Sequence, residues 1–204
     1  MKFISKKIAG AVLFSVILST GFCQYNWKLS KDKDGIKVYL SETATSKFKS
    51  VKVECTLAGN YDKLIAALTD VDHLKDWVYN TKRSNVLKKI SPYELYYYSE
   101  TSIPWPMSNR DVVIHVKITR DSLRRFLKVV SVNAANYSPE NDGKVRVPHL
   151  SINWYVTMPT SKTISIVYVF EADPGGSLPG WLVNMFADRG PYETFKKLAV
   201  ILKK

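Results

Sequence analysis

The sequence predicts an α+β fold: a curved antiparallel sheet of about eight strands around a long C-terminal helix. Three observations lead there. A helical segment with apolar residues at three- and four-residue spacing separates two early alternating segments from a run of later ones. Four of the later segments follow one another with short links, the pattern of antiparallel hairpins. The last part of the chain carries one long apolar helical face. A length of 204 residues predicts one domain with room for a proper core.

The chain opens with an address. Lys2, Lys6 and Lys7 precede the apolar run Ile8 to Leu18 and the small residues Ser19, Thr20 and Gly21. This is the pattern of a secretory signal peptide, with cleavage after Cys23. The run is too short for a permanent membrane span. Acylation of Cys23 as a lipid anchor is the less favoured alternative, because Phe22 directly before it fits that processing badly. The expected organisation is a leader over 1–23 and one domain over 24–204. The expected location is periplasmic or secreted.

Of the 30 basic residues three lie in the leader, which holds no acid, so the remainder carries 27 against 18, a net +9. Such a balance favours anionic surfaces, although a plain solvated basic face has the same composition. Only Cys55 remains after cleavage, so no intrachain disulfide is expected. Its alternation with Val51, Val53 and Leu57 makes it a buried strand residue.

Tyr25 to Ser30 reads as a short helix or irregular lead-in anchored by Trp27, and Lys31 to Gly35 as a turn. Ile36, Val38 and Leu40 begin the first strand, and Phe48 to Leu57 alternates cleanly as the second. Asn60 caps a helix with Asp62 in its first turn, and the spacing runs from Leu64 to Trp77. Strands follow at Ser84–Lys89, Tyr93–Thr101, Arg110–Ile118 and Arg125–Asn133. Residues 134–144 are a loop by composition. Lys144 to Met158 reads as one long strand with Leu150, Ile152, Trp154, Val156 and Met158 on a common face. Thr163–Glu171 is the last strand. Asp173-Pro-Gly-Gly176 turns into a final helix capped by Ser177 and bent at Gly190-Pro191.

Between the two central strands lies a stiff connector, in which Trp105 sits between Pro104 and Pro106. The stretch PWPMSNRDVV resembles the Pro-Trp-Pro…Arg-Asp stretch of START domains, the lipid-transfer domains related to the steroidogenic acute regulatory protein. DPGGSLPGWLVNMF resembles the same family's acidic-Pro-Gly-Gly turn and last-helix motif. The two matches stand in the family's order and span most of the chain after about residue 27. The resemblance implies a helix-grip fold, with an apolar chamber between sheet and helix, and lipid binding or transfer without covalent chemistry. It further implies gating by the last helix, since the link at Thr119–Ser122 is short where the family has a lid loop. Where some sterol-binding relatives place a cavity arginine, this chain has Val116, which puts sterol specificity in doubt.

The expected ligand-contacting residues are Ile114, Val116, Ile152, Trp154, Val156, Trp181, Met185 and Phe186. The expected structural clamp around the connector is Glu100, Trp105, Arg110 and Asp111, with Arg110 and Asp111 in a salt bridge or hydrogen-bond network and Glu100 paired with Arg110 or facing the pocket. Metal patterns, phosphate loops and nucleophile elbows are absent, so no cofactor or metal is expected. His73, His115 and His149 fall on polar positions. Tyr96 to Tyr98 beside Lys88 and Lys89 is too little for an RNA-binding face. The expected partners are a lipid or other apolar small molecule and, transiently, an anionic membrane surface, with no nucleic acid and a monomeric state. Two other readings stay in view: a cyclase or hydrolase using the same cavity, and a non-catalytic module that binds a partner through its basic face.

Overall fold

The structure is a computed structural model that describes residues 25–203, apart from 44, 45, 122 and 124. The expected leader and Cys23 lie outside the described residues. Among the described residues ten strands form one open sheet. They are β1 (Lys28–Lys33), β2 (Ile36–Thr43), β3 (Ser46–Ala58), β4 (Thr81–Ser91), β5 (Glu94–Thr101), β6 (Asn109–Asp121), β7 (Phe126–Asn133), β8 (Lys144–Arg146), β9 (His149–Thr160) and β10 (Thr163–Asp173). Their order is β1-β2-β3-β10-β9-β7-β6-β5-β4, antiparallel throughout, with the short β8 lying parallel to β6.

Two strands exceed the expected eight, each for a physical reason. β1 is almost wholly polar and exposed, so it has no alternation to reveal it. It pairs with β2 through the tight turn at Asp34-Gly35, where both residues have positive φ, as a two-residue hairpin requires. The long strand expected from Lys144 is broken after Arg146. Pro148 has no amide hydrogen to give to a ladder, and the preceding Val147 amide turns to donate to Asp111 O at 2.9 Å.

The early helix is shorter than its apolar spacing suggests. α1 spans Tyr61–Thr69 and is capped as expected, with the Lys63 amide donating to Asn60 Oδ1 at 2.9 Å. The backbone leaves the helical region at Asp70, and a one-turn segment leads into α2 (Leu74–Trp77). Leu74 and Trp77 are nonetheless buried.

The C-terminal helix is two helices, α3 (Gly180–Met185) and α4 (Arg189–Lys203). The break falls at 186–188, just before the expected bend. Pro191 sits in the first turn of α4, where its missing donor leaves no bond unmade. Gly190 serves close packing: a Cβ there would come within 3.2 Å of the Tyr79 ring. The N-cap of α3 is Pro179, with no side-chain capping bond, so Ser177 does not cap it.

α4 buries Tyr192, Phe195, Leu198 and Leu202. They join a core that includes Val53, Leu64, Leu127, Val156, Ile164 and Ile166. α3 buries no residue fully. It is clipped to β3 by Asn184, which accepts from the Lys49 amide at 3.1 Å and donates to Lys47 O at 3.3 Å. One end of the helical cover is therefore fused to the core, and the other is lightly held.

Candidate ligand cavity

Beneath α3 and the start of α4 the sheet and its cover separate. The gap is a cavity of about 470 Å³, within the ~300–1,000 Å³ common for small-molecule sites. Its floor follows the strand register. Val116, Ser131, Ile152, Phe170 and Val51 form one continuous row across five strands, and every member lines the cavity. In a neighbouring row Val129, Trp154 and Tyr168 do the same. Register alone places these side chains on one face, because residues directly opposite across paired strands point the same way.

The cavity ends at an aromatic cluster. Phe195 of α4 lies 5.2 Å, centroid to centroid, from both Trp154 and Tyr168, and those two rings meet edge-on at 4.8 Å. At the other end the wall comes from Ile103 and Pro104 of the connector, from Leu182, Val183 and Phe186 around α3, and from Arg110.

Five of the eight expected ligand-contacting residues line this cavity: Ile114, Val116, Ile152, Trp154 and Phe186. Three do not. Val156 is on the predicted face of its strand but lies beyond the aromatic cluster, fully buried in the core at 0 % exposure. Trp181 and Met185 belong to the outer side of α3, 67 % and 56 % exposed. The break after α3 turns that segment independently of α4, so an apolar face drawn through both helices places them wrongly. Leu182 and Val183 take their place in the lining.

The clamp also differs in its pairings. Arg110 and Asp111 are consecutive strand residues with side chains on opposite faces, and they do not bond each other. Arg110 is 5 % exposed and donates to three carbonyls, those of Ser108, Pro174 and Gly175. It thereby ties the start of β6 to the turn that leads into α3. Burial lowers its pKa, and it stays cationic. Gly175 and Gly176 have φ +68° and +63° in that turn, and a Cβ at Gly175 would come within 3.1 Å of Arg146 O.

Asp111 instead pairs with Arg146, at 2.9 Å and 3.2 Å, and accepts from Asn141 at 2.8 Å. Burial pushes its carboxyl pKa up. The hydrogen bonds from Arg146 and Asn141 and the charges of Arg146 and Lys144 outweigh that and hold it below the ordinary range.

Glu100 neither pairs with Arg110 nor lines the cavity. It accepts from Asn109 at 2.7 Å and faces Lys82, Arg83 and Lys144. Asn109 also accepts from the Ile103 amide at 3.2 Å, so it is the residue that pins the connector. Trp105 holds nothing: it is 91 % exposed. The roles of Asn109 and Arg146 were hidden because their partners lie far along the chain or across the strand.

Arg110 and Lys49 stand in the cavity wall, while Glu100, His73, His115, His149 and Cys55 lie outside its lining. His115 pairs with Glu94 at 2.8 Å and stacks on Tyr96, half-buried rather than exposed. His149 is exposed, and His73 bonds Asp70 on the surface. Cys55 is buried, its thiol pushed up to about 12 by that burial. Among the described residues no cluster of histidine, cysteine or acidic side chains could hold a metal ion.

The model of the START domain matches residues 16–204. The chain belongs to the START domain family. This START domain is 32% identical, over 88% of its own length and 88% of the relative's, to an uncharacterised protein of Pseudomonas aeruginosa. It is 29% identical to the phosphatidylcholine transfer protein of Mus musculus over 81% of this chain and 78% of that one. Among solved structures it resembles a STAR-related lipid transfer protein from Xanthomonas axonopodis, at 32% identity and TM-score 0.80, over 87% of this chain and 99% of that one. It shares its fold with human STARD10, at 20% identity and TM-score 0.75, over 87% of this chain and 73% of that one. START domains bind and transfer lipids, and the open sheet with its C-terminal helical cover is the START arrangement.

Proposed function

We propose that this chain is an exported carrier that holds one lipid in the cavity and exchanges it at an anionic membrane surface, without covalent chemistry. The observation that carries the reading is the cavity itself: ligand-sized, floored by in-register apolar rows and covered by the lightly held α3. The names of the mouse and Xanthomonas relatives, both transfer proteins, point the same way. Ile114, Val116, Ile152, Trp154 and Phe186 are the proposed ligand contacts, joined by Leu182 and Val183. Export rests on the leader pattern of residues 1–23.

Exchange requires an opening, and α3 is the element that costs least to move. It buries nothing fully, and Asn184 is its clip to β3. Trp105, Trp181 and Met185 expose large apolar surface beside the segments that line this end of the cavity. Exposed tryptophans on a basic protein suit an anionic lipid interface. The same surface movement would then open the chamber where it meets the membrane. A monomer suffices for this mode of action.

Organic extraction of the purified protein followed by mass spectrometry tests the reading. One lipid per chain is expected. No extractable lipid, together with no uptake from mixed vesicles, would count decisively against it.

A further inference from the structure

One carboxylate on the sheet is surrounded by three cations. Glu100 is buried, and Lys82 Nζ, Arg83 Nε and Lys144 Nζ lie 3.3, 3.5 and 3.8 Å from its oxygens. The strand register explains the crowding. Arg83 stands directly opposite Glu100 in the β4–β5 pair. In a regular strand Lys82 would point to the other face, since consecutive residues alternate. The register shift between Thr81 and Arg83 makes Lys82 an extra residue, and such a bulge re-aims its side chain. Lys144 arrives on β8, opposite Asn109.

The neighbouring carboxylate, Asp111, is already matched by Arg146, whose remaining donors go to the carbonyls of Ala135, Ser138 and Pro139. Four cations therefore meet two carboxylates, which leaves two positive charges in one place. Among the described residues no other acidic side chain forms an ion pair with Lys82, Arg83 or Lys144. Arg83 also lies over the Tyr98 ring at 5.1 Å, a contact that leaves its charge unneutralised. The side chains of Lys82 and Arg83 are 57 % and 58 % exposed, so the surplus charge is open to an external anion.

The cluster sits at the root of the connector. Asn109 donates to Glu100 and accepts from the Ile103 amide. The Ser102 amide donates at 2.8 Å to the carbonyl of Asn80, two residues before Lys82. From there the connector carries Ile103 and Pro104 into the cavity wall and leaves Trp105 almost fully exposed. An exposed indole beside surplus positive charge matches the headgroup layer of an anionic bilayer: the ring enters the interface and the cations meet phosphates.

We propose that Lys82, Arg83 and Lys144 form a headgroup site for an anionic phospholipid, which sets the carrier on the membrane with its connector, and so this end of the cavity, against the lipid. This deepens the lipid-carrier reading and rests on it. Glu100 holds the cations in place between encounters, and the headgroup phosphate competes with it for Lys82 and Arg83.

Co-sedimentation of the full chain with vesicles of phosphatidylcholine, alone or with about one-third phosphatidylglycerol, tests the site. The wild type binds the anionic vesicles at least about tenfold more tightly. Lys82→Gln/Arg83→Gln weakens that binding about tenfold. Lys33→Gln/Lys37→Gln makes the same charge change at the opposite end of the strand order and weakens it less than about threefold. Glu100→Gln, which frees the cations, binds at least about threefold more tightly than Asp32→Asn, its control of equal charge. Misfolding cannot produce that gain, and denaturation midpoints check the folding of the other variants. Equal losses in the two double variants, or no gain in Glu100→Gln, would reduce the attraction to net charge and overturn the site. Release of the wild type by inorganic phosphate, where sodium chloride of equal ionic strength leaves it bound, would make this a site for free phosphate and overturn the membrane assignment. Uptake of a fluorescent acyl lipid by the wild type is measured in parallel. If it takes up lipid while the vesicle results fail, the headgroup site alone falls. If it takes up none, the carrier reading falls and the role given to the site falls with it.

Discussion

The ring centroids of Trp154 and Phe195 lie 5.2 Å apart, and at that contact the sheet and the last helix meet. Beyond it toward the C-terminus, Leu198 and Leu202 pack into a continuous core. On the other side the two layers part and the cavity begins. This one contact therefore separates the part of the molecule that holds the fold from the part that is hollow.

Phe195 is 1 % exposed. Its replacement by alanine should cost about 3–5 kcal/mol of stability, the usual range for a buried phenylalanine, and should extend the cavity toward Val156. Urea denaturation measures the first effect. A loss under about 1 kcal/mol would mean that Phe195 does not close the chamber.

The buried Asp111–Arg146 pair gives the fold an acid limit. The folded Asp111 carboxyl titrates below its unfolded value, as does that of Glu100, where burial raises the pKa but the bonds from Asn109 and Lys82 prevail. A depressed carboxylate contributes stability above the unfolded pKa, near ~4, and that contribution is lost as pH falls through the folded one. Stability should hold at neutral pH and drop below about pH 5. Asp111→Asn should cost about 3 kcal/mol at pH 7, because Arg146 is left uncompensated, and should flatten the acid limb. Denaturation midpoints at pH 7, 5 and 3.5 check both. An unchanged acid slope in the variant would assign the limit elsewhere.

The exposed apolar side chains around α3 predict a separable membrane phenotype. Replacing Trp105 and Trp181 together by serine should lower binding to anionic vesicles about tenfold, with the wild-type denaturation midpoint retained, since both side chains are solvated. Added salt should weaken the remaining binding. Vesicle co-sedimentation reads both effects. Equal sedimentation of variant and wild type would remove these residues from the interface.

The strands were legible wherever one face is buried, because alternation records burial directly. β3, β6 and β9 carry it, and Ile114, Val116, Ile152 and Trp154 follow from it. β1 was not legible, since an edge strand wet on both faces has no pattern. Trp181 and Met185 were misplaced because a helical face can be drawn through a break that composition marks only weakly, and Phe186–Asp188 contains neither glycine nor proline. Arg110 and Asp111 do sit in hydrogen bonds and a salt bridge, but their partners, the Pro174-Gly175 turn and Arg146, lie far along the chain and are not named by the local pair.

The most direct test of the central claim is to fill the hollow. Ile152→Trp places a larger side chain in the middle of the cavity floor without disturbing the core beyond Trp154. Titration of wild type and variant with a fluorescent acyl lipid, at matched folded fractions, measures the result. The account predicts saturable binding at one lipid per wild-type chain and at least about tenfold weaker binding by the variant. Undiminished binding by the folded variant would contradict it, because the lipid would then have to sit somewhere other than between the sheet and the helices.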